Sequence, residues 1–184
     1  MAHPKEPDFV KFFVAVLFSD EEKLISAKKE IQKNFGDFDF ESQSVPFTVT
    51  DYYKDEMGDN IKRVFFSFEK LMKPDKLTQI KIKCIEIEDK LRDEFGKRKV
   101  NLDPGYIDFY KVVLATCKPG GCKIYLSDGV WADLVLRYEK GKFLTFPWTF
   151  PDFKEGLYDS ILLQIRKIYK AQISQFKKEK YSLK

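Results

Sequence analysis

The chain has 184 residues, a length at which one hydrophobic core suffices and two domains would each be small. Hydrophobic residues make up 43% of it and aromatic residues 16%, which excludes a disordered chain. The net charge of +4 is concentrated in residues 161–184, and the only histidine is His3, which excludes a histidine base or a histidine metal site.

No stretch of the sequence is long and apolar enough to cross a membrane. The longest unbroken apolar run covers residues 12–18, whereas a membrane helix needs roughly 20 residues. The chain opens without a secretory leader pattern, and its three cysteines are few for a secreted domain. We therefore expect a soluble, cytoplasmic protein with one domain over residues 1–184. Within it, we expect residues 1–8 to be flexible and residues 177–184 to be frayed.

The first predicted elements are a buried strand and an amphipathic helix. Residues 9–18 are apolar apart from Lys11, a pattern typical of a strand that is covered on both faces. A capping-box pattern at residues 19–22 then predicts the start of a helix, with Ser19 as its N-cap. Gly36 predicts the end of that helix.

A second unit of strands and helix follows. Residues 38–47 and 61–71 predict two strands, and an apolar stripe at a spacing of three or four residues predicts a helix from Pro74 to Gly96. Both helices end in Phe-Gly and lead into an extended segment. This order predicts an α+β fold with a ferredoxin-like split βαβ core that ends near Leu102.

The fourth strand of this core has two candidates, residues 99–102 and residues 107–117, and the sequence does not decide between them. Beyond it, turn residues separate short apolar runs, which predicts an added antiparallel hairpin region over residues 123–146. A long C-terminal helix follows, with Asp152 as its predicted N-cap.

The stretch from Gly96 to Tyr106 is rich in turn-forming and polar residues. Pro104 followed by Gly105 predicts a type II turn, because proline fixes φ and glycine accepts a positive φ. The polar side chains of this stretch either complete that corner or line the rim of a site for phosphate or carboxylate. In the second case the site residues are Arg98, Asn101 and Asp103.

The loop over residues 50–60 carries two adjacent tyrosines and several carboxylates. One interpretation is that Tyr52 and Tyr53 cover the core while Asp51 and Glu56 stay solvated. The other is a lid whose carboxylates bind a hard cation such as Mg²⁺ or act as an acid or base. The sequence assigns no metal site and leaves a divalent cofactor open.

Common catalytic motifs are absent from the sequence. It lacks the P-loop, the dinucleotide-binding glycines, the nucleophile elbow and the zinc-protease helix. Cys117 and Cys122 flank a four-residue turn, but one such pair without histidine is a weak metal or redox signal. We expect two reduced thiols there, and whether the chain is an enzyme stays open.

Five different short motifs are distributed along most of the chain. They lie at residues 51–58, 98–106, 115–118, 125–126 and 148–152, and the most specific is Asn-Leu-Asp-Pro-Gly-Tyr at residues 101–106. Together they resemble the prokaryotic domain-of-unknown-function family numbered forty-four sixteen. The resemblance implies no activity, substrate or catalytic residue. In this sequence Cys122-Lys123 stands where the family pattern has His-Arg, and Phe150 and Phe153 stand where it has tyrosines.

Three functions are compatible with these features. The first is a pocket for a small anionic ligand, binding or catalytic, lined by residues that converge from separate connections. The second is an interaction or scaffold protein, which could form a homo-oligomer through sheet edges or the long helix. The third and least favoured is nucleic-acid binding, because the basic residues of the last helix are typical of a solvated face. The candidate ligand-binding residues are Asp51, Tyr52, Tyr53, Glu56, Arg98, Asn101, Asp103, Tyr106 and Trp148.

Overall fold

The computed structural model describes residues 2–182, and for residues 180–182 it describes the backbone only. The architecture is α+β, as predicted, and the described residues form one antiparallel sheet of nine strands together with five α-helices and a short 3-10 helix at Pro74–Lys76. The strands are β1 Lys11–Phe18, β2 Phe38–Glu41, β3 Val45–Pro46, β4 Lys62–Phe68, β5 Val100–Ile107, β6 Lys111–Thr116, β7 Ile124–Ser127, β8 Val130–Glu139 and β9 Lys142–Thr145. The helices are α1 Glu21–Phe35, α2 Lys54–Met57, α3 Leu77–Lys90, α4 Pro151–Lys154 and α5 Asp159–Ser182.

β1 is an inner strand of the sheet and is buried along its whole length, as predicted. It pairs antiparallel with β4 on one side and with β5 on the other, and β2 pairs with the far edge of β4. Along β4, successive side chains point to opposite faces of the sheet. Val64, Phe66 and Phe68 pack under α1 and α3, whereas Phe65 packs under α5. The sheet therefore has α1 and α3 on one face and α5 on the other.

Both candidates for the fourth core strand are strands. β5 lies beside β1, and β6 lies beyond β5. β6 pairs with the long strand β8, which pairs with β7 near its start and with β9 near its end. The expected antiparallel extension is thus continuous with the core, and the sheet is much larger than four strands.

The prediction of a type II turn at Pro104-Gly105 is wrong. Both residues lie inside β5, where Gly105 pairs with Phe13 on one side and with Leu114 on the other. A Cβ at Gly105 would lie 2.5 Å from the carbonyl oxygen of Val113 and 2.9 Å from Cζ of Phe13. The glycine is therefore required by the close approach of its neighbours.

Two predicted helix starts are also wrong. α1 is capped by Asp20, whose carboxylate accepts two backbone N–H bonds of the first turn, because Ser19 instead donates its hydroxyl to the carbonyl of Met57. α5 begins at Asp159, while Asp152 lies in α4 and its carboxylate is bound in a buried ion pair.

The helix predicted to run to Gly96 ends at Lys90. The cause is Asp93, whose carboxylate accepts the N–H groups of Phe95 and Lys97 and so forms a turn. Phe95, which precedes Gly96 at the end of the predicted helix, is 79% exposed.

The strand predicted over residues 38–47 is divided into β2 and β3. Ser42 lies in the gap, where its backbone N–H and its hydroxyl oxygen both bond to the backbone of Phe65. The loop predicted over residues 50–60 contains the single turn α2.

None of the helices in the described residues is long and apolar enough to cross a bilayer. α5 continues through Ser182. Residues 1, 183 and 184 lie outside the described part of the chain, so the expected flexibility of residues 1–8 and fraying of residues 177–184 stay predictions.

Candidate functional site

A cleft opens where β5 and β6 separate. The two strands pair only between residues 105–107 and residues 112–114. At the preceding position, Pro104 has no N–H to donate to a neighbouring strand, which favours the end of pairing there. Residues from the first half of β5 and the second half of β6 then line a cavity of about 660 Å³.

Side chains of α3 take the place of the missing strand partner at Leu102. Glu88 Oε1 accepts the backbone N–H of Leu102 at 2.6 Å, and Lys81 Nζ donates to its carbonyl at 2.9 Å. The two side chains are seven residues apart and so lie on one face of the helix. Burial raises the pKa of Glu88. The arrangement places a buried carboxylate and a buried ammonium group beside the cleft.

Arg63 is a buried cation on β4 with only 4% of its surface exposed. Its guanidinium donates to Asp152 at 2.6 Å and to Asp103 at 3.3 Å. Asp103 also lies 3.9 Å from Nζ of Lys81, and its side chain is 24% exposed. Asp103 is thus a carboxylate held between two cations, with part of its surface open to the cleft.

Two buried donors at the cleft have no hydrogen-bond partner in the described part of the chain. They are Nε of Arg63 and Nδ2 of Asn101. The amide oxygen of Asn101 accepts from Arg98 at 3.2 Å, which orients the group. A buried donor without a partner costs roughly 1–3 kcal/mol, so an acceptor on a ligand would be stabilised here.

Residues 49–58, which we call the tyrosine segment, lie along one side of the cleft. Glu56 in this segment accepts two hydrogen bonds from Arg98, at 2.7 and 2.8 Å. This ion pair lowers the pKa of Glu56 and raises the pKa of Arg98. Met57 is buried in a small apolar cluster with Leu17 and Phe47. The segment is therefore fixed by both charge and packing.

The two adjacent tyrosines have different environments. Tyr53 packs edge-on against Phe47, and burial raises the pKa of Tyr53 to about 12. Tyr52 is 64% exposed, and its hydroxyl accepts from Nζ of Lys118 at 3.0 Å. That hydrogen bond lowers the pKa of Tyr52. Tyr53 thus covers the core, whereas Tyr52 lies at the rim of the cleft.

The arginines and lysines that line the cleft differ in how closely carboxylates approach them. Each arginine has a carboxylate oxygen at 2.6 to 2.9 Å. In the described part of the chain, the closest carboxylate to any of the lysines is 3.6 Å away. The lysines therefore keep donor capacity for a ligand. The arginines are Arg63, Arg92 and Arg98, and the lysines are Lys81, Lys118 and Lys123.

The structure brings most of the predicted ligand-binding residues together. Six of the nine candidate ligand-binding residues line this cleft. They come from the tyrosine segment and from the stretch before and within β5. The residues are Tyr52, Tyr53, Glu56, Arg98, Asn101 and Asp103.

Three other predicted residues lie outside the cleft. Asp51 is 82% exposed in a surface ion pair. Tyr106 lies on the opposite face of β5, where its ring packs edge-on against Phe12. Trp148 stacks on Phe146 and donates its indole N–H to a backbone carbonyl of β8.

Several residues that line the cleft were not predicted from the sequence, although the sequence pattern around some of them was informative. Arg63 is a charge within an apolar alternation, and Lys81 and Glu88 continue the buried side of an amphipathic helix. Lys118 and Lys123 flank the Pro-Gly-Gly turn between β6 and β7. Such positions are informative because a buried charge needs a partner or a function.

No group of three His, Cys, Asp or Glu side chains among residues 2–182 is arranged to hold a metal ion. The suggestion of a divalent cofactor stays untested. The cysteines are free thiols: Cys84 is buried, Cys117 is exposed and lines the cleft, and Cys122 is partly exposed.

Comparison with family models assigns the chain to a protein family. Residues 8–169 match the family described as a domain of unknown function, DUF4416. The chain belongs to this family. The membership inferred from the sequence is confirmed, and the match covers the whole sheet of the DUF4416 protein. Comparisons with curated proteins and with solved structures give no match. The function must therefore be derived from the cleft itself.

Proposed function

We propose that this DUF4416 protein binds a small organic anion in the cleft between β5 and β6. The observation that carries the proposal is the unused donor capacity there. Lys81, Lys118 and Lys123 have no carboxylate closer than 3.6 Å in the described part of the chain, and the amide nitrogen of Asn101 has no acceptor there. An anion supplies acceptors to such groups, and hydrogen bonds that involve charged partners are the stronger ones.

The size and lining of the cleft support a small-molecule ligand. Its volume of about 660 Å³ falls within the range of roughly 300–1,000 Å³ that is typical of such sites. Apolar side chains form part of the wall, among them Phe47, Ile85 and Leu114. The ligand is therefore expected to have an apolar part besides its anionic group.

We place the anion at the lysines and not at Arg98, which was the sequence-based choice. Both oxygens of the Glu56 carboxylate accept a hydrogen bond from Arg98, so an anion would have to displace a bidentate ion pair. When Lys118 turns to an anion, it loses a hydrogen bond to the hydroxyl of Tyr52 and a cation–π contact with the same ring, but no ion pair. The lysine site therefore costs less to occupy.

The proposal includes two finer statements about the chain. We infer a ferredoxin-like core from the strand order β2-β4-β1-β5 and from the helices α1 and α3 on one face of the sheet. We infer a cytoplasmic location from the few cysteines in the sequence. No reaction is assigned to the cleft.

Calorimetric titration of the full chain tests the proposal. The probes are pyrophosphate, citrate, phosphoenolpyruvate, ribose 5-phosphate and adenosine 5′-monophosphate at constant ionic strength. We expect at least one of them to bind and to raise the melting temperature. Lys118→Gln should weaken that binding about tenfold, because a charged hydrogen bond contributes roughly 1.5–3 kcal/mol.

The matched control is Lys142→Gln, which changes an exposed lysine on β9. This variant should bind like the parent chain. Absence of binding to every probe, or equal effects of the two lysine substitutions, would refute the proposal.

Self-association through β7 is the second candidate function. β7 is an edge strand whose four residues are all exposed, including Ile124 at 68% and Tyr125 at 54%. Exposed apolar edge strands can pair with a strand of another molecule. Light scattering over a range of concentrations tests it. A dimer that becomes a monomer in Tyr125→Lys would support this candidate, and a monomeric mass throughout would remove it.

Nucleic-acid binding through α5 remains the least favoured function. Part of its basic surface is engaged within the chain, because Arg166 donates to the carbonyl of Phe109 and Lys177 pairs with Asp8. The other basic residues of α5 are Lys167, Lys170, Lys178 and Lys180, and the side chain of Lys180 lies outside the described part of the chain.

A further inference from the structure

Two aromatic rings at the rim of the cleft bear on the class of ligand. Tyr52 and Phe150 both line the cavity, and 64% and 39% of their surfaces are exposed. They come from separate parts of the chain, the tyrosine segment and the residue just before α4. Exposed rings at a ligand site provide flat apolar surfaces on which another ring can stack.

Each of these rings is approached by a lysine from one and the same turn. Nζ of Lys118 lies 4.2 Å from the ring centroid of Tyr52, and Nζ of Lys123 lies 5.9 Å from that of Phe150. The two lysines are the ends of the turn that joins β6 to β7. Cation–π contacts at exposed sites are weak, so Lys118 exchanges its contact for a phosphate at little cost. Lys123, whose side chain is 13% exposed, also lies 3.6 Å from the carboxylate of Asp133, and its ammonium group has three donors, so it donates to a phosphate without leaving that ion pair.

This exchange has a consequence for the rings. When Lys118 and Lys123 turn to an anion, the ring faces of Tyr52 and Phe150 lose their cations. An anion alone leaves those faces to water, whereas a ligand with both a phosphate and a flat ring satisfies the lysines and the aromatic side chains together.

The floor of the cleft has both a hydrogen-bond donor and a hydrogen-bond acceptor. Asn101 and Asp103 are two residues apart and so lie on the same face of β5. Asn101 presents a buried donor without a partner in the described residues, and Asp103 presents a partly exposed acceptor. The hydroxyl groups of a ribose and the polar edge of a base can each donate and accept, which matches this pair.

We propose that the ligand of the cleft is a free nucleoside phosphate. Its base stacks on Tyr52 and Phe150, and its phosphate is bound by Lys118 and Lys123. The inference rests on the proposed function, since it names the class of anion for the same cleft.

The test separates the ring from the phosphate. Affinities are measured by calorimetry on the full chain for the four common ribonucleoside 5′-monophosphates, for ribose 5-phosphate, which lacks the base, and for adenosine, which lacks the phosphate. We expect the best nucleotide to bind at least tenfold more tightly than either fragment. A trinucleotide of the same base distinguishes a free ligand from the end of a nucleic-acid strand, and we expect it to bind more weakly than the mononucleotide.

Two variants assign the ring contribution. Tyr52→Leu should weaken nucleotide binding about tenfold, at the low end of what stacking on an exposed ring contributes. It should leave the affinity for ribose 5-phosphate unchanged. The control is Tyr110→Leu, because Tyr110 is 72% exposed and is not among the residues that line the cleft.

The outcomes distinguish this inference from the proposed function. If ribose 5-phosphate binds as tightly as the nucleotides, or if Tyr52→Leu changes neither affinity, the anion site stands and the nucleotide assignment is overturned. If the trinucleotide binds more tightly than the mononucleotide, the assignment of a free ligand is overturned. If neither the nucleotides nor ribose 5-phosphate bind, this inference fails, and the proposed function fails with it when pyrophosphate, citrate and phosphoenolpyruvate do not bind either.

Discussion

Replacing Asp152 with asparagine removes the closest counterion of Arg63 at a buried position. Both side chains are only 5% exposed, and their ion pair measures 2.6 Å. Breaking a buried ion pair by removing one partner costs roughly 3–5 kcal/mol. Two features reduce this value, since asparagine still offers an oxygen acceptor and Asp103 remains 3.3 Å from the guanidinium. We therefore expect a loss of about 2–3 kcal/mol in the free energy of unfolding.

Urea unfolding followed by circular dichroism measures this loss. Because the chain has 184 residues, each kcal/mol corresponds to roughly 2–4 °C, and the melting temperature should fall by about 4–12 °C. The control is Glu86→Gln, which removes an ion pair whose partners are 56% and 41% exposed. That change should cost less than about 0.5 kcal/mol. A loss in Asp152→Asn no larger than that of the control would refute the electrostatic role given to Arg63.

Three further predictions concern packing and ionisation. Gly105→Ala should destabilise the fold by roughly 1–3 kcal/mol, because its Cβ would clash with the neighbouring strands, and unchanged urea unfolding would contradict that packing. In a spectrophotometric titration, Tyr52→Phe should remove an ionisation below the usual tyrosine pKa of about 10, whereas Tyr53→Phe should remove one near pH 12. The pKa of Glu88 is raised in the folded chain above the value of about 4.3 for an unfolded glutamate, so the folded chain keeps a proton that the unfolded chain releases. The free energy of unfolding should therefore fall as the pH rises from about 4.3 to the raised pKa. Glu88→Gln should flatten this dependence in urea titrations at successive pH values, and an equal slope in both chains would contradict it.

The strands and helices of the first half could be predicted because their signals are local. β1 has a run of apolar residues, and α1 and α3 have regular stripes. The two helix starts were predicted wrongly because contacts with distant parts of the chain changed the outcome. Asp152 was interpreted as a helix cap because its local sequence fits one, but its carboxylate binds Arg63, a residue 89 positions earlier.

The cleft could be predicted in part for the same reason. The polar groups of the tyrosine segment and of β5 are visible as motifs, and the structure brings most of them together. The opposite wall was missed, because Lys118 and Lys123 reach the cleft only through the pairing of β6 with β8. Tyr106 was included because it belongs to the same motif, yet the alternation along β5 directs it to the other face.

The substitution of α3 side chains for a strand at Leu102 has a consequence for how the cleft responds to its ligand. The first half of β5 cannot pair with β6. The backbone of Leu102 is already bonded to Lys81 and Glu88, and Pro104, two residues further along β5, has no N–H to donate. The cavity is therefore present before any ligand arrives, and no strand pairing has to be broken to admit one. The backbone N–H of Leu102 should also exchange slowly with solvent although no strand covers it. Its exchange rate, in the parent chain and in Glu88→Gln, reports directly on how firmly the helix holds the open edge of the sheet.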